Sequence, residues 1–198
     1  MAEPASNTAN LLFELGTEEL PPVALKNLSE AFTREFVKGL ADAGLIHGEV
    51  TAYSTPRRLA LLVLDCAKAQ PDREIERRGP AVKAAYDKDG VPTKAAQGFA
   101  RSCGTTVDQL QKLETNDGSW LAYNVHQAGQ RAAELLPAIA ENALNRLPIP
   151  KRMRWGASEA QFVRPVHWLL FLHGDQVVPC TLLDAEAGKQ TYGHRFHH

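Results

Sequence analysis

The sequence predicts an α+β fold with mixed, mostly antiparallel sheets. Three observations point there. Two long amphipathic stripes at helical spacing lie at 23–43 and 131–147. Several apolar runs of strand length are joined by short turn signals. Strand and helix do not alternate strictly, as a doubly wound parallel sheet would require.

Residues 1–10, MAEPASNTAN, read as a polar, disordered tail without the basic and apolar regions of a secretory signal. Asn10–Leu15 (NLLFEL) is an apolar strand, broken by Gly16-Thr17-Glu18-Glu19-Leu20-Pro21-Pro22. Thr17 is a candidate N-cap, with Glu18 and Glu19 suited to the dipole of a following helix. Leu25, Leu28, Phe32, Phe36 and Leu40 form the stripe of that helix, and Gly44 ends it. Glu49–Ser54 and Arg58–Cys66 are strands around the tight turn Thr55-Pro56-Arg57, the second nearly all apolar and so central. Residues 68–92 are polar and broken by Pro71, Gly79, Pro80, Gly90 and Pro92, so they read as a long loop. A boundary between two subdomains is expected near 68–92, within an α+β region spanning 11–198. Short helices are expected at Thr93–Ser102 and Val107–Lys112. Asn116-Asp117-Gly118 is the strongest hairpin signal, between strands Lys112–Thr115 and Trp120–Gln127. The second stripe uses Leu135, Ile139, Ala143 and Leu147 and is stopped by Pro148 and Pro150. A last hairpin joins Val166–His173 and Gln176–Leu183 at Gly174-Asp175.

The 198 residues carry 22 basic and 23 acidic side chains, a formal net charge of −1. That balance does not mark a general nucleic-acid binder. The distribution is polarised: three basic and eight acidic side chains in residues 1–50, five basic and one acidic in 146–167. Such asymmetry can steer an anionic partner to one face. The three cysteines, Cys66, Cys103 and Cys180, include no CxxC pair and read as free thiols of a reducing, cytoplasmic compartment. No apolar stretch approaches the ~20 residues of a membrane helix. Motifs for a serine nucleophile, a phosphate loop, a dinucleotide fold or paired-His zinc are missing, so no catalytic and no metal-binding residue is assigned. His194, His197 and His198 lie close together at the chain end and read as solvated.

Three cationic segments carry the functional expectation. Arg57 and Arg58 stand at a strand entrance, where they either guard a solvated edge or recognise phosphate or carboxylate. Pro148–Gly156 (PIPKRMRWG) interleaves Lys151, Arg152 and Arg154 with Met153 and Trp155. That pattern can follow a phosphate backbone and stack a base, or form a basic loop with a packed indole. Arg164 sits at the start of the Val166 strand.

GTEELPP at 16–22, TPRRLA at 55–60, RGP at 78–80, PIPKRMRWG at 148–156, FVRPVHW at 162–168 and GHRF at 193–196 occur in one order. Together they resemble the N-terminal region of the β subunit of bacterial glycyl-tRNA synthetase, from about Leu12 to Phe196. The resemblance implies a fragment of a longer subunit, without its central HD-like domain, helical body and anticodon-binding domain. It implies a fold similar to the editing-type domain of the phenylalanyl-tRNA synthetase large subunit. It further implies a heterotetrameric glycine–tRNA ligase whose α subunit holds the class II site with ATP and magnesium, so this chain binds no cofactor itself. The partners implied are that α subunit, the tRNA for glycine and the remaining β domains. Arg57, Arg58, Arg78, Lys151, Arg152, Arg154, Trp155, Arg164, His194 and Arg195 are then candidates for RNA contact, or for docking onto protein. Two further expectations stand beside tRNA binding and assembly: a pure docking module, and an editing-type aminoacyl-tRNA hydrolase.

Overall fold

The computed structural model describes residues 7–115, 118–157 and 159–193. In chain order the elements are β1 (Thr8–Thr17), α1 (Pro22–Asp42), β2 (Val50–Thr55), β3 (Arg58–Ala67), β4 (Arg73–Ala81), α2 (Val82–Ala85) and α3 (Lys94–Ser102). A 3-10 turn at Val107–Gln109 follows. Then come β5 (Gln111–Thr115), β6 (Gly118–Gln127), α4 (Ala132–Asn145), β7 (Val166–His173), β8 (Gln176–Val177), β9 (Thr181–Leu182) and β10 (Ala185–Gly188). The chain forms two units. The first comprises Met1–Pro71 with Gln130–His198, and the second is the intervening stretch of sequence, Asp72–Gly129.

Unit 1 is a mixed sheet in the order β2-β3-β1-β7-β10-β9, with β8 also on β7. All its pairings are antiparallel except β10 with β7. Helices α1 and α4 share one hydrophobic cluster with Leu11, Phe13 and Leu15 of β1 and Leu59, Leu61 and Val63 of β3. Phe13 is its centre, 5.0 Å from Phe32 of α1 and edge-on to Phe171 of β7 at 5.1 Å. Aromatic pairs at these spacings add to the area they bury. Gly39 lets the two helices meet: a Cβ there would fall 2.6 Å from Ile139 Cγ2. Helix α1 buries Leu28, Phe32, Phe36 and Leu40 as the stripe requires, and Pro22 opens it where a missing N–H costs nothing.

Unit 2 is an antiparallel sheet, β4-β6-β5. Its small core holds Ala85, Ala96 and Leu121, with Tyr86 and Phe99 against them. A Cβ on Gly79 would lie 2.5 Å from Phe99 Cδ1, so this glycine is what lets the Phe99 ring close on β4.

Several expectations change. Thr8–Asn10 are strand, not tail, because β1 pairs with β3 from Thr8. Residues 68–92 hold β4 and α2 rather than a loop; β4 is an exposed edge strand paired along one side with β6. Thr17 does not cap α1: it ends β1, fully buried, and Pro21 occupies the cap position. The helix expected at Val107–Lys112 is one 3-10 turn, since Gln111 already pairs with Ala122 of β6. The strand expected over Gln176–Leu183 is divided at Pro179, which has no N–H to give a ladder. Asn116 and Asp117 of the hairpin signal lie outside the described residues, as do His194, Arg195, His197 and His198. Thr115 and Gly118 on either side of that turn pair as a hairpin demands.

Candidate functional site

Three of the motif segments meet at one end of the unit 1 sheet. Backbone hydrogen bonds tie the loop after β1 to its neighbours: Thr17 N–H to Arg57 carbonyl (2.9 Å), Glu18 N–H to Pro165 carbonyl (2.9 Å) and Leu20 N–H to Pro56 carbonyl (2.6 Å). The prolines suit these places because the loop asks only for their carbonyls. Glu18 then holds the corner by its side chain. One carboxylate oxygen lies 3.2 Å from Arg57 Nη2, the other 2.8 Å from His167 Nε2. Arg164 donates to the carbonyls of Glu19 and Val163, both at 2.9 Å. A cleft of about 580 Å³ opens beside this corner, lined by Glu18, Glu19, Pro21, Pro22, Pro56 and Arg164 among others.

A second cluster lies on the sheet face away from the helices. Register places Gly16 between Arg58 on β3 and Trp168 on β7. The Trp168 ring lies over Gly16, where a Cβ would come 2.0 Å from Cε2. Trp168 Nε1 donates to Glu14 Oε1 at 2.7 Å, and Thr191 Oγ1 donates to the same oxygen at 2.6 Å. Arg58 Nη1 lies 3.4 Å from the other Glu14 oxygen, and Arg58 Nη2 donates to the Tyr192 carbonyl. The Tyr192 ring packs on Trp168 at 5.1 Å. Glu14 is buried, and a buried carboxylate persists only when donors surround it, as here. The strap at 189–193 is thereby pinned across β7, β1 and β3.

The other expected contacts fall elsewhere. Arg152 donates to the Asn145 carbonyl (2.9 Å) and the Gln161 carbonyl (3.4 Å), closing the loop that follows α4. Arg154 pairs with Glu159 at 2.9 Å on the surface. Trp155 is half-buried and packs on the unit 1 core. Lys151 is exposed, and none of the described ion pairs uses it. Arg78, in unit 2, lies over the Trp120 ring at 3.7 Å. Arg57, Arg58 and Arg164 thus converge on one end of unit 1, while Lys151, Arg152 and Arg154 form a separate loop and Arg78 belongs to unit 2. Sequence reasoning missed Glu14 and His167. The signal for Glu14 was present: one carboxylate inside NLLFEL, on a strand apolar on both faces, needs a cation across the sheet.

Burial pushes the Cys66 thiol from 9.0 up to about 11 and raises Cys180 as well. Neither lies at the corner. Among the described residues no group of three or more His, Cys, Asp or Glu side chains could hold a metal ion. No helix among them is long and apolar enough to cross a membrane.

The fold and site define an α+β protein in which Arg57, Arg58, Arg152 and Arg164 brace loops and a strap. Residues 11–198 match the family described as glycyl-tRNA synthetase beta subunit. The chain is 55% identical over 192 residues to the glycine–tRNA ligase beta subunit of Hahella chejuensis, covering 97% of this chain and 28% of that one. The corresponding protein of Chromohalobacter salexigens is 58% identical over 187 residues, 94% of this chain and 27% of the relative. That of Marinobacter nauticus is 54% identical over 190 residues, 96% and 27%. The chain belongs to the glycyl-tRNA synthetase β-subunit family, and it spans a little over a quarter of the length of these relatives.

Proposed function

We propose that the chain is a non-catalytic, self-braced part of the β subunit of glycine–tRNA ligase. It supports heterotetramer assembly and tRNA placement for the ATP-dependent attachment of glycine to tRNA. On this reading ATP and magnesium belong to the α subunit, and the partners are that subunit, the tRNA for glycine and the other β domains, in the cytoplasm. The likeness to the editing-type domain of the phenylalanyl-tRNA synthetase large subunit is carried as part of the same proposal.

One observation carries it. Arg57, Arg58, Arg152, Arg154 and Arg164 spend donors on carboxylates and carbonyls of unit 1 itself. Guanidinium groups engaged in this way fix shape and orientation, which favours docking over phosphate contact for these residues. RNA contact then falls to Lys151 and Arg78, whose cations face no described acid. The hydrolase expectation would need a pocket that positions a water among polar groups, and its test is deacylation of mischarged tRNA by the full β subunit.

The test uses the assembled α and β subunits. Lys151→Ala with Arg78→Ala should weaken tRNA affinity several-fold and lower the slope of log affinity against log salt by about 1–2. Arg57→Ala with Arg164→Ala should leave that slope unchanged and weaken assembly. Unchanged affinity and slope in the first variant, with unchanged assembly in the second, would remove the proposal.

A further inference from the structure

Register divides the helix-free face of the unit 1 sheet into rows. One row runs Arg58, Gly16, Trp168 and lies under the strap. The next runs Ala60, Glu14, Leu170, with Glu14 reached by Thr191. The third runs Leu62 on β3, Leu12 on β1, Leu172 on β7 and Val177 on β8. All four of these side chains are half-buried, and none belongs to the cluster beneath α1 and α4. An antiparallel sheet that shows one face to water alternates apolar with polar residues. Here the second face carries Leu12 of β1, Ala60 and Leu62 of β3, and Trp168, Leu170 and Leu172 of β7, with Glu14 and Arg58 paired under the strap, more apolar surface than a face left to water. The edge strand β2 keeps the alternation, with Thr51, Tyr53 and Thr55 on this same face.

The strap says what the cover is. From Gly188, beside Leu170, the chain reaches Glu14 of β1 at Thr191 and Arg58 of β3 at the Tyr192 carbonyl. It crosses three strands without leaving this face, one row from Leu12 at Thr191 and two rows from Leu62 at Tyr192. The relatives carry nearly three-quarters of their length outside the matched stretch. A segment tethered within a few residues of an apolar row meets it at millimolar effective concentration, ahead of any separate molecule.

We propose that in the full-length β subunit the polypeptide C-terminal to the strap lays an apolar segment across the Leu62–Leu12–Leu172–Val177 row. The sheet is then covered on both faces. Such packing follows from the sheet and the family membership, and does not depend on whether any arginine meets RNA.

The test places a benzophenone amino acid at Leu62 or at Val177, one at a time, in the full-length β subunit assembled with its α subunit. Val23, which is 94% exposed, serves as the control position. Irradiation should join Leu62 and Val177 to β-subunit peptides beyond residue 198. Mixing light and isotopically heavy β chains should show the two peptides to come from one chain. Cross-links to the α subunit, to a second β copy or to tRNA would overturn the proposal, and so would the absence of any product. A second measurement needs no bulky group. Val177→Cys should react with a maleimide at least about 10-fold more slowly than Val23→Cys in the same complex, and an equal rate would count against the cover.

Discussion

Glu14→Ala is the sharpest probe of the strap. The side chain accepts from Trp168 Nε1 at 2.7 Å and Thr191 Oγ1 at 2.6 Å, and faces Arg58 at 3.4 Å. A hydrogen bond to a charged group contributes about 1.5–3 kcal/mol, and a covered donor left unpaired costs about as much. The indole N–H is in that position once the carboxylate is gone. The hydroxyl of Thr191 can turn to water and counts for little. Arg58 keeps 29% of its side chain exposed, so losing its ion pair adds only about 0.5–1 kcal/mol. The expected loss is about 3 kcal/mol, concentrated on β7 and the strap. Native-state hydrogen exchange reads it directly: amides of 166–173 and 185–193 should open about 100-fold more often. Glu14→Gln keeps an acceptor for Trp168 and should lose about half as much. If the alanine variant stayed within about 0.5 kcal/mol of the parent in these peptides, the cluster would not be what pins the strap.

Gly16→Ala should destabilise unit 1 by about 3 kcal/mol or more, because a Cβ 2.0 Å from a packed indole cannot be relieved by rotation. Adding Trp168→Ala should recover part of that loss, and a thermal melt of the single and double variants checks it. Gly79→Ala, with a Cβ 2.5 Å from Phe99, should raise exchange across β4 and β6. Cys66 is fully buried with its thiol pushed to about 11, so at pH 8 it should react with a disulfide reagent only on unfolding, while the half-buried Cys103 reacts in the native chain. The folded thiol keeps its proton to about 11 and the unfolded one loses it near 9.0. Stability should therefore fall as pH rises across that window, and a Cys66→Ala variant should show less of the fall.

The long elements were legible because their periods are strong. The stripe at 23–43 became α1 within a residue, and Val166–His173 is β7 at its expected bounds. The short and polar elements were not. In Arg73–Arg78 charge replaces apolar alternation, so β4 shows itself only through its partner β6 across the small core of unit 2. The shortest strands offer no period at all: β8 and β9 have two residues each and β10 has four, and β10 is held by β7 in parallel. The candidate site was legible as a set of motifs but not as a geometry. Nothing local in TPRR says that Arg57 turns to Glu18 and Arg58 to Glu14, since those partners lie some forty residues upstream.

The charge asymmetry along the chain has the same resolution. An acidic first quarter and a basic segment at 146–167 would steer an anion if they stayed apart. The fold brings them together. Arg146 pairs with Glu35 at 3.3 Å, His167 with Glu18, and Arg164 caps the Glu19 carbonyl. The nearby Arg57 and Arg58 take Glu18 and Glu14. Each such pair removes a phosphate contact that the motifs offered in sequence and adds a brace between distant segments. Of the motif cations Lys151 and Arg78 are left over, and contacts from these two would release about two counterions. On their account affinity should change by about 10-fold between 50 and 200 mM salt.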